Sequence, residues 1–373
     1  MQINNLMNSN KKVAEFWSNH HYSTDNDIYN FLPARKYFSN LVTLESSNNE
    51  TKDWLEIWFR NKYLNGKFPV ENCLSLCCGH GERDIRIAEL GYFKNCLSLD
   101  ISEGALNIAK KNANDLGLSN INYQVADLNT FILPENTFDL VYVGAGMHHI
   151  LNLDHLVNQI YKSLKTGGIF FCDEYVGPNY SNLTNRHREI INAIIHLIPK
   201  ELKNAVETNF IPGWIKKNNL FLLIYLIINI GKIDYNNINI NINNFKGLKK
   251  TVFKYFTKVN NYFSKFRKSE NKKFIFGKVF DIYPENIKKG DPSEGVRASE
   301  IIPILKNVFP STEVYYYNGS LLAYVLDTKF FKNFNNNNHY HKQLFDFITN
   351  YEKFLIESRE IPPIHAAIIS TKK

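Results

Sequence analysis

The run Leu74–Arg83, LSLCCGHGER, constrains this chain most: an apolar strand ends in a glycine-containing turn and opens directly into a helix. Such a turn lets backbone approach a ligand closely. The helix start behind it offers unpaired N–H groups and the positive end of a dipole. From Glu71 onward, strand-like and helix-like patterns alternate with short connections, as in an α/β protein with a parallel sheet. The pattern predicts strands over 73–77, 96–99, 121–125, 139–143 and 169–172. Helices are predicted over 82–90, over 102–116 with Ser102 as N-cap, and over 153–164, with Gly167-Gly168 closing the last.

The flanks read differently. Residues 1–70 contain three helical pieces, KKVAEFWSNHHY, NFLPARKYFSNLV and TKDWLEIWFRNKYL, which together predict a helical N-terminal cap. After Pro178 the alternation lapses for more than a hundred residues. Arg186–Leu197 is helical in pattern, and an apolar run follows at 220–230. The Asn/Ile-rich YNNINININN then fits either a strand or a low-complexity loop. Ordered texture returns at Ser293, with a helix over 298–308, a strand over 312–317, helices to about 356 and a last strand over 365–370. The expected division is a cap (1–70), a core (71–178), a helical basic insertion (179–291) and a segment completing the sheet (292–373).

Charge is unevenly placed. The 373-residue chain carries a formal +8, yet residues 214–290 alone hold sixteen Lys/Arg against four Asp/Glu. The basicity therefore belongs to the insertion. Within it, KGLKKTVFKYFTKVNNYFSKFRK (246–268) would, as a helix, gather Val252, Phe256, Val259 and Phe263 on one face. Lys250, Lys254, Lys258, Lys265 and Lys268 would fall opposite. That composition suits a solvated lid, an interfacial membrane helix or a dock for an acidic partner. The apolar run 220–230 is about half of the ~20 residues a membrane span needs. With no apolar stretch behind the first charges, no signal peptide is expected. Cys73, Cys77, Cys78, Cys96 and Cys172 are odd in number and sit in apolar runs, without the spacing of a zinc site or an iron–sulfur cluster. Together these predict reduced thiols and a cytoplasmic chain, with peripheral contact to a membrane's inner face open through 246–268.

Two aspartates follow the glycine turn at telling positions. Asp100 ends the next strand, where a carboxylate can accept hydrogen bonds from both hydroxyls of a ribose. Asp127 follows the third strand in QVADLN, placed to meet the exocyclic amine of an adenine. Each could instead be a helix cap or turn residue. Three such features in order, each at the carboxyl end of a successive strand, are hard to obtain by chance.

On these residues the chain resembles the class I S-adenosylmethionine (SAM)-dependent methyltransferases. Leu74–Gly81 matches their first motif, Asp100 their acidic second-strand end, and Asp127-Leu128 their adenine site. FDLVYVGAGMHH after strand four and SLKTGGIFF into strand five also fit, so the likeness covers about 71–176. It departs at Ser75, where the family usually has an acid, and at Cys77, where its glycine run begins. The likeness implies a Rossmann-like seven-stranded sheet in the order 3-2-1-4-5-7-6, with the last strand antiparallel and helices on its faces. It implies SAM as cofactor, held by Leu76, Cys77, Cys78, Gly79, Gly81, Asp100, Ile101, Asp127, Leu128, Gly144 and Ala145. EFWSNHHY, DWLEIWFRNKYL, DEYVGP, SEGVRASEIIPIL and IPPIHAAII are further similar to a bacterial subfamily associated with polysaccharide and other specialised biosynthesis.

Methyl transfer from a sulfonium is an in-line displacement, so protein residues mainly align the partners and exclude water. An oxygen or nitrogen acceptor also loses a proton, which calls for a base. In this fold the residues just past strands four and five, Met147, His148, His149, Asp173, Glu174 and Tyr175, are expected over the methyl group. His149, alternatively His148, is the first choice of base because imidazole titrates near neutrality. Glu174 is the second choice, and a structural role is the alternative for each. His20 and His21 are weaker candidates, with Trp17 and Tyr22 as lid aromatics. No Asn/Asp-Pro-Pro-aromatic follows strand four and no Pro-Cys occurs, which argues against amino- and C5-methylation of nucleic acid bases. The position after strand four also lacks the Asp of metal-dependent catechol-type enzymes, so no metal is expected. The leading expectation is methylation at O, or N, of a small-molecule or glycan acceptor. Alternatives are an RNA or protein acceptor docked on the basic insertion, with nucleic acid disfavoured, and a SAM-binding protein without catalysis.

Overall fold

The computed structural model describes residues 12–19, 28, 31–43, 51–199, 202, 283–326, 331–335 and 337–373. The chain forms two units, one of residues 1–198 and 280–373 and one of residues 199–279. His20, His21, Tyr22, YNNINININN and 246–268 lie outside the described residues.

The first unit is built on seven strands: β1 (Val70–Leu76), β2 (Phe93–Asp100), β3 (Ile121–Val125), β4 (Phe138–Gly144), β5 (Leu164–Tyr175), β6 (Ser311–Asn318) and β7 (His365–Thr371). They form one sheet in the order β3-β2-β1-β4-β5-β7-β6. Neighbours from β3 to β5 are parallel, while β7 runs antiparallel to both β5 and β6. Expected order and direction are therefore present. Leu74, Leu76, Leu140, Val141, Val143, Phe170 and Phe171 are all buried, as a parallel sheet covered on both faces requires.

Helices α4 (Glu82–Glu89), α5 (Glu103–Asp115), α6 (Leu153–Ser163) and α7 (Asn185–Leu197) follow the pattern closely. Ser102 caps α5 by accepting from Ala105 N, and Thr184 caps α7 by accepting from His187 N. One core joins β1, β4 and β5 to α6 and to the helix Ile301–Val308 through Leu156, Val157, Ile160, Ile301 and Leu305. On α3 (Trp54–Tyr63), Phe59 lies flat on Phe171 of β5 with ring centroids 4.0 Å apart. Burying such a ring stabilises by roughly 1.5–3 kcal/mol.

The end of α6 differs from expectation. The chain leaves the helix at Ser163 and enters β5 at once, with Leu164 already extended. Gly167 and Gly168 therefore stop no helix. They lie inside β5, where Gly167 N donates to Lys372 O and Lys372 N to Gly168 O. A Cβ on Gly168 would stand 2.8 Å from Lys165 O. The glycines allow a register shift against β4 at Phe138/Leu140. The expected cap also divides. The helix α2 (Leu32–Thr43) and α3 cover the β5–β7–β6 part of the sheet through Phe38, Trp54 and Tyr317, whereas α1 (12–19) goes to the tips of β1–β4.

Candidate functional site

The carboxyl ends of β1–β4 converge on a cavity of about 310 Å³. Cys77 and Gly79 enter it from the β1 turn, Asp100 and Ile101 from β2, Ala126, Asp127 and Leu128 from β3, and Ala145 and Gly146 from β4. The turns are knitted together by backbone. Cys78 N donates to Leu99 O, Ala126 N to Asp100 O and Ala145 N to Asp173 O.

Asp100 holds this arrangement from below. Its Oδ2 accepts from Gly79 N at 2.9 Å and its Oδ1 from Ser102 N at 2.8 Å. Burial pushes its pKa up, opposed by those two N–H groups. Asp100 also lines the cavity, where a carboxylate's remaining acceptor capacity can serve a ribose diol. Asp127 Oδ1 accepts from Asn129 N and Asn129 Nδ2, and Asn129 in turn grips Asn152 at the start of α6. The third strand tip is thus fixed to the next helix.

Backbone strain gathers here. Cys77 (φ 54°) and Ala145 (φ 55°) both adopt the left-handed conformation that favours glycine. Gly146 must be glycine because a Cβ there would stand 2.3 Å from Cys77 Cβ. Burial, and then the nearby Asp100 carboxylate, push the Cys77 thiol pKa well above its usual value.

Of the anticipated cofactor residues, Cys77, Gly79, Asp100, Ile101, Asp127, Leu128 and Ala145 line the cavity. Leu76, Cys78, Gly81 and Gly144 stand behind it. Leu76 is core, and Cys78 packs on the cluster around Leu106 and Tyr123. Gly81 lets α4 start against Ala109 and Tyr123, and Gly144 leaves room for Arg83, which crosses to Asp173. Ser75 is buried and donates to Asp84 on α4, so the position where an acid was expected faces the core.

The catalytic candidates separate likewise. Among the six residues expected over the methyl group, His149 alone lines the cavity. Met147 is core, and Asp173 accepts from Arg83 and Tyr317. Tyr175 donates to Pro178 O. Glu174 is buried and accepts from Gly146 N, Met147 N and Tyr175 N as well as bonding His148 Nδ1. His149 meets Ser293 Oγ at 3.0 Å through Nδ1 and Trp17 edge-on at 5.3 Å. Burial alone would pull His148 down, but Glu174 outweighs it and the pKa rises to about 9. His149 is lowered well below the ordinary value by burial and then by His148.

Val13, Trp17, Asn129, Ile150, Leu151, Tyr180, Pro292, Ser293 and Val296 complete the walls. Of these only Trp17 was anticipated. Val13 comes with Trp17 on α1, and Tyr180, Pro292, Ser293 and Val296 arrive from beyond β5; Ser293 and Val296 fall in the SEGVRASEIIPIL stretch, which gave no role for them.

Backbone N–H groups at a helix start, two carboxylates at successive strand tips and an apolar slot between them fit the ribose, adenine and amino-acid parts of SAM. Residues 74–172 match a family described as "Methyltransferase domain". The chain is 32% identical over 111 residues to the demethylmenaquinone methyltransferase of Oceanobacillus iheyensis, covering 29% of this chain and 46% of that protein. It is 25% identical over 130 residues to a ubiquinone/menaquinone biosynthesis C-methyltransferase of Zymomonas mobilis, covering 35% and 52%. The chain spans about half the length of the curated relatives it matches. Among solved structures it is similar to a S-adenosylmethionine dependent methyltransferase from Mesorhizobium loti, at 26% identity and a TM-score of 0.28, covering 34% of this chain and 56% of that one. Residues 74–172 therefore carry a class I SAM-dependent methyltransferase domain.

Proposed function

We propose that this protein methylates an oxygen, or a nitrogen, of a small-molecule or glycan acceptor. The cavity at the β1–β4 tips, with Gly79, Asp100 and Asp127 aligned along it, carries the reading. Bound SAM supplies an activated methyl group on a sulfonium. Asp100 and Asp127 would hold its nucleoside, and Gly79 N–H and the opening of α4 lie beside the same slot. Trp17 and Val13 of α1 cover the cavity and exclude water. Activation of the acceptor falls to the His148–His149 pair, because His149 is on the wall and His148 stands directly behind it, rings 4.1 Å apart. Glu174, with its four bonds, supports that pair rather than reaching the acceptor.

Calorimetric titration with S-adenosylhomocysteine tests the cofactor half. Binding that disappears in Asp100→Ala is expected, and a folded wild-type chain that binds nothing overturns it. Unchanged turnover in both His148→Ala and His149→Ala would remove the pair from the mechanism.

Carbon methylation of a quinone-type ring, in keeping with the names of the relatives, is the second reading. It is favoured by the sequence match alone, which covers about a third of this chain. Isotope-labelled SAM incubated with cell extract, followed by mass spectrometry of the products, separates O- and N-methylation from C-methylation. The 246–268 segment is the proposed site of any membrane or macromolecular contact. Among the described residues, no helix is long and apolar enough to cross a membrane.

A further inference from the structure

We infer that His148, His149 and Glu294 form a binding site for one divalent transition-metal cation of the imidazole-preferring kind, with zinc as its representative. For its role in acceptor activation the inference rests on the proposed function; for binding it stands alone. His148 Nε2 lies 3.5 Å from Glu294 Oε1, and His149 Nε2 lies 3.7 Å from Glu294 Oε2. One donor atom from each residue falls within 4.8 Å of the others. Ligands about 2.0–2.1 Å from a tetrahedral zinc stand roughly 3.3–3.5 Å from one another, so closure needs only small side-chain movements.

The surroundings hold both rings in the way a metal site requires. A metal-binding histidine characteristically gives its other nitrogen to a carboxylate or similar acceptor, which fixes both tautomer and orientation. Both histidines do so here. His148 Nδ1 bonds Glu174, itself locked by Gly146 N at 2.9 Å, Met147 N at 2.6 Å and Tyr175 N at 2.8 Å. His149 Nδ1 bonds Ser293 Oγ, whose hydrogen goes to Asp291 Oδ1 at 2.6 Å. With both Nδ1 atoms donating, both Nε2 atoms face the same carboxylate, and a bound cation would take the place of the proton that Glu174 otherwise keeps on His148. Val296 N donates to His148 O at 3.0 Å, tying the 291–296 loop that carries Glu294 to the turn that carries the histidines.

Charge is consistent with a dication. Two neutral imidazoles and Glu294 would leave a single positive charge, faced by the carboxylates of Glu174 and Asp291. Two nitrogen donors disfavour magnesium and calcium, which prefer all-oxygen sites. Glu294 is 41% exposed at its side chain, giving a route in from solvent. Three protein ligands leave a position for water or an acceptor oxygen, whose proton a cation beside His149 would make easier to lose. The expectation of no metal rested on the missing Asp after β4. The ligands come instead from the histidines of that turn and from a loop almost 150 residues later.

The test uses the full chain, stripped with chelator and titrated with Zn²⁺ by calorimetry and with Co²⁺ by visible absorption. One equivalent of Zn²⁺ and a low-coordinate Co²⁺ spectrum are expected. Glu294→Ala should weaken Zn²⁺ at least 10-fold, and Asp291→Asn by roughly 10- to 100-fold. Asp100→Ala should lose S-adenosylhomocysteine yet keep the cation, so failure of the cofactor reading and failure of the metal reading are told apart. If the folded chain takes up no stoichiometric Zn²⁺, or if uptake is unchanged in both Glu294→Ala and His149→Ala, the inference is overturned.

Discussion

Cys77 occupies left-handed backbone that glycine would take freely, and it does so on the cavity wall. A β-branched side chain tolerates that conformation worst. Cys77→Val, close in volume, should therefore lose on the order of 1–2 kcal/mol in chemical denaturation. Gly81→Ala puts a Cβ 2.8 Å from Ala109 Cβ and Tyr123 OH, and it should destabilise by roughly 1–3 kcal/mol. Asp84 gives a pH-dependent expectation. Burial raises its pKa to about 6, although Ser75 donates to it. Because the unfolded carboxyl ionises first as pH climbs, the native state loses stability between about pH 4 and 6 and levels off above. Asp84→Asn should flatten that slope, worth roughly 3 kcal/mol at most, in melts recorded at pH 4, 5, 6 and 7. At this scale Gly79, Asp100 and Asp127 were legible in the chain because each ends or closely follows a strand, and the carboxyl ends of parallel strands share one edge of the sheet. His149 stood first, with His148 as its alternative and Glu174 second, on the ordinary pKa of imidazole and not on any sign of which one reaches the cavity. Which of them faces the cavity depends on the 147–149 turn and on Ser293, contacts that sequence spacing does not encode.

The helix α1 meets the rest of the site through a narrow contact. Ser18 Oγ lies 2.8 Å from Ser102 Oγ, and the absent side chain of Gly104 makes room, since a Cβ there would sit 2.7 Å from Ser18. Gly104→Ala improves helix propensity in α5 by up to about 1 kcal/mol while pushing α1 away from the cavity. The expected signature is an unchanged or higher melting temperature with several-fold weaker S-adenosylhomocysteine binding, read by calorimetry. Equal cofactor affinity would mean that α1 does not close the cavity. In contrast, Phe59→Ala on α3 should cost about 3–5 kcal/mol in denaturant unfolding, because the ring it removes is fully buried on Phe171. Most elements could be read from periodicity and capping. The α6–β5 junction could not: two glycines after an amphipathic helix look like its stop, and only pairing with β4 and with Lys372 makes them part of a strand.

At the level of the whole molecule, every described residue that lines the cavity belongs to the unit of residues 1–198 and 280–373. A chain lacking 214–275 should therefore keep cofactor affinity within a few-fold by calorimetry, whatever it loses toward an acceptor. The two units divide after residue 198 and before residue 280, so α7 stays with the sheet.

Strand β7 lies between β5 and β6, with Lys372 Nζ bonding Leu164 O, Lys162 O and Asn136 Oδ1. During synthesis β1 to β5 can assemble early, yet the free edge of β5 has no partner until residues 365–371 emerge from the ribosome. Where β1 to β5 assemble before the rest of the chain is made, the edge of β5 that β7 covers in the folded protein stays without that partner, and an uncovered strand edge is where edge-to-edge association starts.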